Sequence, residues 1–265
     1  MSTFTDYMTV ANNLTRYQTM TASDPTVAQA TKYFQANIGS IATPAQLVGN
    51  ARVFNYVMNA FGLGSMTYAK SLIQKVLEQG ILNPAALANT LNNPKILALA
   101  QTFNFPLYGA DTTKTTAATS DVVNRYVMQT LETNQGQQNP GVQLALYFQQ
   151  NASKITNGYS ILADKNLLTV VQATLGISPY TSSENIDLQA KQLDKLLTYS
   201  DFQNPAKVQN FLERFAAQYD INNPSSSNGS ANSAATTLFS ASSSSAAGIS
   251  VNLLMSMQNL KLGGL

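Results

Sequence analysis

Six times in this chain a residue that can cap a helix stands directly before a proline: Asp24-Pro25, Thr43-Pro44, Asn83-Pro84, Asn93-Pro94, Asn139-Pro140 and Asn204-Pro205. The side-chain oxygen of the first residue accepts from the orphan N–H groups of a first helical turn. The proline behind it wastes no donor and already holds a helical φ. A proline inside a strand would instead remove a ladder donor, so the pattern points away from a sheet. Gly39, Gly62, Gly80 and Gly176 stand where helices should stop, because glycine enters the left-handed region at little cost. Between these marks apolar residues recur at three and four spacings, as in Val53, Tyr56, Val57 and Ala60 or Leu72, Val76 and Leu77. The chain is expected to be all-α, a multi-helix body with helices beginning at all six pairs.

Composition narrows the chemistry. Charged residues are 11% of the chain, against roughly 25% in typical soluble domains, so Ser, Thr, Asn and Gln must carry the surface. A net charge of +2 without any Lys/Arg run offers no basic face for nucleic acid. No apolar run approaches the ~20 residues of a membrane span. The opening MSTFTDYMTVANN has neither basic nor apolar signal regions, so a cleaved secretory leader is not expected. Cysteine and histidine are both absent. That removes thiolate chemistry, the commonest general base and the commonest transition-metal ligand, leaving oxygen ligands suited at most to Mg or Ca. No cofactor and no metal are expected, and no catalytic residue is assigned.

The segment GVQLALYFQQNASKITNGYSILADKNLLTVVQATLGI at 141–177 resembles the core signature of a family of uncharacterised, mostly alphaproteobacterial helical proteins often encoded among flagellar genes. The resemblance continues through IDLQAKQLDKLL, FLERFAAQYDI, ATKYFQANIG, FNYVMNAFGL and YAKSLIQKVLEQG, and so covers most of residues 1–222. It implies an association with the bacterial flagellum and specifies no mechanism. The Cys- and His-free, Ser/Thr/Asn/Gln-rich composition is also similar to that of exported filament, rod and hook components.

An internal duplication is suggested within a helical body at 1–222, with halves at about 1–105 and 121–222. Phe61-Gly62-Leu63 aligns with Leu175-Gly176-Ile177, Lys75-Val76-Leu77 with Lys195-Leu196-Leu197, and Asn83-Pro84-Ala85 with Asn204-Pro205-Ala206. Leu87 and Leu91 then fall on Val208 and Leu212, and Phe103-Asn104-Phe105 on Tyr219-Asp220-Ile221. Residues 106–120 read as a loop between the halves. Residues 223–247 are a low-complexity Ser/Asn/Ala tract that buries too little to offset its ordering entropy. As a flexible linker it would reach about 25–30 Å. Residues 248–265 regain an apolar face and are expected to be an amphipathic docking helix.

Interaction surfaces are therefore the better candidates. Leu253, Leu254, Met257 and Leu260 lie at helical spacing in the C-terminal segment. Tyr7, Val10, Leu14 and Tyr17 form a heptad-like seam near the N-terminus. Either set can serve a protein partner, whether a flagellar component or a second copy of the chain, or can pack on the protein's own body. Asp164-Lys165 reads as a helix cap, with Lys165 or Arg125 as ion-pair partners, rather than as a general base. Tyr147, Phe148, Tyr159, Tyr56, Phe54 and Phe61 read as core. The leading expectation is a non-catalytic flagellum-associated protein, an assembly factor or minor structural component, either cytoplasmic or reaching the flagellum by non-cleaved export. The alternatives are a cytoplasmic adaptor unrelated to flagella and an enzyme working with carboxylates alone.

Overall fold

The computed structural model describes residues 2–178 and 185–223. Contacts divide the chain into one unit at Met1–Gln218 and another at Tyr219–Leu265; the fold that follows is that of the first. The linker and the C-terminal docking segment expected beyond residue 223 lie outside the described residues. The helices are α1 (Thr3–Asn12), α2 (Leu14–Ser23), α3 (Pro25–Ile38), α4 (Pro44–Gly49), α5 (Ala51–Ala60), α6 (Lys70–Gln79), α7 (Leu87–Thr90) and α8 (Pro94–Thr102). They are followed by α9 (Phe105–Tyr108), α10 (Ser120–Gln138), α11 (Pro140–Asn151), α12 (Gly158–Leu162), α13 (Lys165–Leu175), α14 (Ile186–Leu196) and α15 (Pro205–Asn222). Short 3-10 turns connect several of them, and no strand occurs among the described residues. The protein is all-α. Among the described residues no helix is long and apolar enough to cross a membrane.

Capping accounts for most helix starts. Pro25, Pro44, Pro94, Pro140 and Pro205 are each the first residue of a helix. Their preceding Asp24, Thr43, Asn93, Asn139 and Asn204 accept from first-turn N–H groups. Asn83-Pro84 departs from the expectation. Asn83 Oδ1 accepts from Ala85 N–H at 2.9 Å, but only an isolated turn forms. The chain becomes extended at Ala86 (ψ 147°) before α7 begins. Asn89 Nδ2 then donates back to the carbonyls of Ile81 and Asn83, tying this turn down from the side. Gly62, Gly80 and Gly176 do take positive φ at helix ends, whereas Gly39 stays right-handed at φ −66°.

Helices α5 and α10 organise the core: α3 and α4 pack on α5, while α2, α5 and α11 pack on α10. A stack of rings joins three of these helices. Phe34 lies 4.4 Å from Tyr56, and Tyr56 lies 3.9 Å from Tyr126. A second aromatic cluster, Phe148, Phe202 and Phe211, seats α15 beside α11 with centroid separations of 5.3–5.4 Å. Tyr147, Phe148, Tyr56, Phe54 and Phe61 are buried as expected, but Tyr159 is 49% exposed and hydrogen-bonds Asp187.

The stretch at 106–120 is not a plain surface loop. It continues α9 and then winds through a 3-10 turn at Gly109–Lys114 that buries Thr112 and Thr113 completely. Thr113 Oγ1 donates to the Ile41 carbonyl at 2.6 Å, anchoring the stretch to the turn before α4. The segments aligned in the suggested duplication differ in burial and in helix number. Glycine closes α5 and α13 alike, but Val76 and Leu77 are buried on α6 whereas Leu196 is 53% exposed. Beyond that point α7 and α8 stand against the single helix α15.

Candidate functional site

The N-terminal seam does not form a free surface. Asn13, at φ −125°, separates α1 from α2, so Tyr7 and Val10 lie on one helix and Leu14 and Tyr17 on the next. Tyr7 and Val10 are 0% and 2% exposed, while Leu14 and Tyr17 are half-buried. The α1 helix is fastened onto α11: Asn139 Nδ2 donates to Asp6 Oδ2 at 3.1 Å, and Thr3 Oγ1 donates to Asn139 Oδ1 at 3.0 Å. Leu253, Leu254, Met257 and Leu260 lie outside the described residues.

Sequence reasoning missed a cleft of about 820 Å³ between α5, α8, α10, α11 and the start of α13. This falls within the range of roughly 300–1,000 Å³ usual for ligand pockets. A second chamber of about 460 Å³ shares Lys95, Gln129, Glu132 and Tyr147 with it. Helical periodicity builds the walls. Arg125, Gln129 and Glu132, at spacings of four and three, share one face of α10. Tyr147, Gln150 and Asn151 do the same on α11. Lys95 follows the Asn93-Pro94 cap of α8, and Lys154 ends the 3-10 turn after α11.

Glu132 is the centre of this site. It is 2% exposed, and Gln129 and Gln150 both donate amide N–H groups to its carboxyl. Burial pushes its pKa up to about 8, against the opposing pull of Lys95 and the Gln129 hydrogen bond. Near neutral pH the group is therefore mainly a neutral acid with one O–H to donate.

Asp164 is a cap, as the sequence suggested. Its carboxylate accepts from the N–H groups of Asn166 and Leu167 at 2.9 and 3.3 Å. It also accepts the Tyr147 hydroxyl, whose own pKa is raised by burial first and by that hydrogen bond second. No ion pair joins it to Lys165 or Arg125; the salt bridges among the described residues are Lys114–Asp111 and Lys207–Asp201.

The cations of the cleft rest on aromatic and amide groups. Lys95 Nζ stands 5.2 Å from the Tyr147 ring centre, and the Arg125 guanidinium stands 5.1 Å from that of Phe61. Lys154 Nζ donates to Asn151 Oδ1 at 3.0 Å. Crowding by protein holds the Lys154 ammonium below the ordinary lysine pKa; the Arg125 charge adds to this and Asp164 opposes it. Asn and Gln side chains fill much of the remaining lining, so the cleft offers many amide donors and acceptors around a few charges. The three cations lie 30 and 29 residues apart in sequence, and no local pattern could have joined them. The available signal was the scarcity of charge, which makes any convergence of cations informative.

Residues 60–208 match the family described as protein of unknown function (DUF1217). The chain is also similar to a protein from Agrobacterium tumefaciens whose X-ray crystal structure was determined by a structural genomics consortium. The two are 35% identical with a TM-score of 0.79, over 84% of this chain and 97% of that one. No curated protein matches the chain.

Proposed function

We propose, for a chain that belongs to the DUF1217 family, a non-catalytic role in the bacterial flagellum, as an assembly factor or minor structural component that binds another protein. The flagellar setting rests on the resemblance to proteins encoded among flagellar genes, and the Cys- and His-free composition agrees with it. The observation that carries a binding role is the cleft between α8, α10 and α11, where three cations of a charge-poor chain converge.

Two of the carboxyls in the cleft are already engaged in structure. Asp164 caps α13 and receives Tyr147, and Glu132 is buried under two glutamine amides. Such a site recognises and orients a ligand. The amide-rich lining suits a peptide backbone, which presents the same donors and acceptors. The partner is then a flagellar component or a second copy of this chain.

The test is an in-frame deletion of the gene, complemented with the wild-type protein or with cleft variants. Spreading in soft agar and filament number by electron microscopy are scored. Loss of motility or of filaments, restored by the wild-type gene, is expected. Normal motility with normal filaments would overturn the flagellar role and leave an adaptor acting elsewhere.

A further inference from the structure

Each cation of the cleft is positioned without being neutralised. Lys95 and Arg125 lie over the rings of Tyr147 and Phe61, which steady a cation while leaving its charge available. Lys154 is tethered to the neutral amide of Asn151. Among the described residues none of the three is in an ion pair. The carboxyls that face them are Asp121, Asp164 and Glu132. Asp121 is exposed in the first turn of α10, Asp164 is taken up by Tyr147 and two backbone N–H groups, and Glu132 is buried and held by two amides. Crowding by protein is the first cause of the depressed Lys154 ammonium, and the Arg125 charge beside it is the second. Arg125 and Lys154 are both exposed, so this end of the cleft is open to solvent.

We propose that the Arg125–Lys154 end of the cleft is a subsite for a ligand carboxylate. Arginine presents a planar fork of N–H donors that matches a carboxylate, and a lysine beside it supplies a second charge. Asn151, bonded to Lys154, and Asn124, next to Arg125 in the chain, also line the cleft and add neutral polar groups. The rest of the ligand lies along the amide-lined floor toward Tyr147 and Glu132. This rests on the reading of the cleft as the recognition site. The same chemistry is met by an acidic side chain of a peptide or by a free small acid.

The test is a titration of the full-length ¹⁵N-labelled protein followed by two-dimensional NMR. The probes are succinate, a blocked tetrapeptide carrying two aspartates, and its counterpart carrying two asparagines. Saturable shifts at the backbone amides of Arg125, Lys154 and their neighbours are expected for at least one acidic probe and not for the asparagine peptide. Binding should weaken about tenfold or more in Arg125→Gln/Lys154→Gln, as fits the loss of charge-assisted hydrogen bonds. Both side chains are exposed, and the same spectra verify that the variant is folded.

Tighter binding of the aspartate peptide than of succinate assigns the carboxylate to a peptide; the reverse assigns it to a small acid. No saturable shift with either acidic probe, or undiminished binding by the variant, overturns the subsite. Carboxylate binding together with normal motility of the deletion strain would retain the subsite and remove the flagellar role. A motility defect in that strain without carboxylate binding would do the opposite.

Discussion

Glu132→Gln tests the electrostatics of the cleft directly. Glu132 is 2% exposed, and burial lifts its carboxyl to about 8 from its ordinary 4.5. A carboxyl whose folded pKa lies above its unfolded value holds its proton more tightly in the folded state. Its full contribution is therefore present below about pH 4.5 and is lost as pH rises toward 8. At about 1.36 kcal/mol for each pH unit, the loss amounts to roughly 3 kcal/mol by pH 7 and on the order of 4–5 kcal/mol by pH 8. Glutamine has nearly the same shape, never ionises, and keeps a carbonyl to accept from Gln129 or Gln150.

The variant should match the parent within about 1 kcal/mol at pH 4.5. It should exceed the parent by roughly 3–5 kcal/mol at pH 8.5. Equilibrium urea unfolding of both proteins across that range measures this, because the other titrating groups largely cancel in the difference. A difference that stays constant with pH would refute the reasoning. So would a parent that gains on the variant as pH rises, since Glu132 would then be an ionised partner of Lys95.

Three further substitutions probe packing and capping. Gly158→Ala would bring a Cβ within 2.7 Å of the Ala190 carbonyl oxygen and 2.9 Å of its Cα, where α12 crosses α14. A loss of roughly 1–3 kcal/mol in urea unfolding is expected. Gly136→Ala meets the Gln143 side chain, whose amide end can swing away while its Cβ stays 3.1 Å off, and improves the interior of α10, so the same measurement should show a smaller loss than Gly158→Ala. Asp164→Ala removes the cap of α13 and strands the Tyr147 hydroxyl. Thermal and urea unfolding should show a loss of about 2–4 kcal/mol, the cap and the unsatisfied hydroxyl together.

Helix starts were legible wherever the chemistry was local. Asp24, Thr43, Asn93, Asn139, Asn204 and Asp164 act within three residues of themselves, so short stretches of sequence contain what they need. Asn83 shows the limit of the rule. Its side chain makes the same first hydrogen bond, yet the chain turns away at Ala86, and a cap alone cannot supply the packing that prolongs a helix. The buried 3-10 stretch at Gly109–Lys114 was hidden for the opposite reason. Its threonines look like surface residues until the Ile41 carbonyl, 72 positions away, accepts from Thr113.

By itself, then, the sequence determined the all-helical class, several helix starts and the exclusion of thiol and imidazole chemistry, because capping, periodicity and residue inventory act over a few positions or over none. The partner of each apolar face was left to the tertiary structure. Tyr7 and Val10 proved to be core because Asn139 holds α1 against α11. The cleft likewise exists only where α5, α8, α10, α11 and α13 meet. There burial converts Glu132 from an ordinary carboxylate into a neutral acid, and packing brings Lys95, Arg125 and Lys154 to the same lining. Desolvation and convergence depend on neighbours distant in the chain, and those neighbours are assigned only when the helices pack.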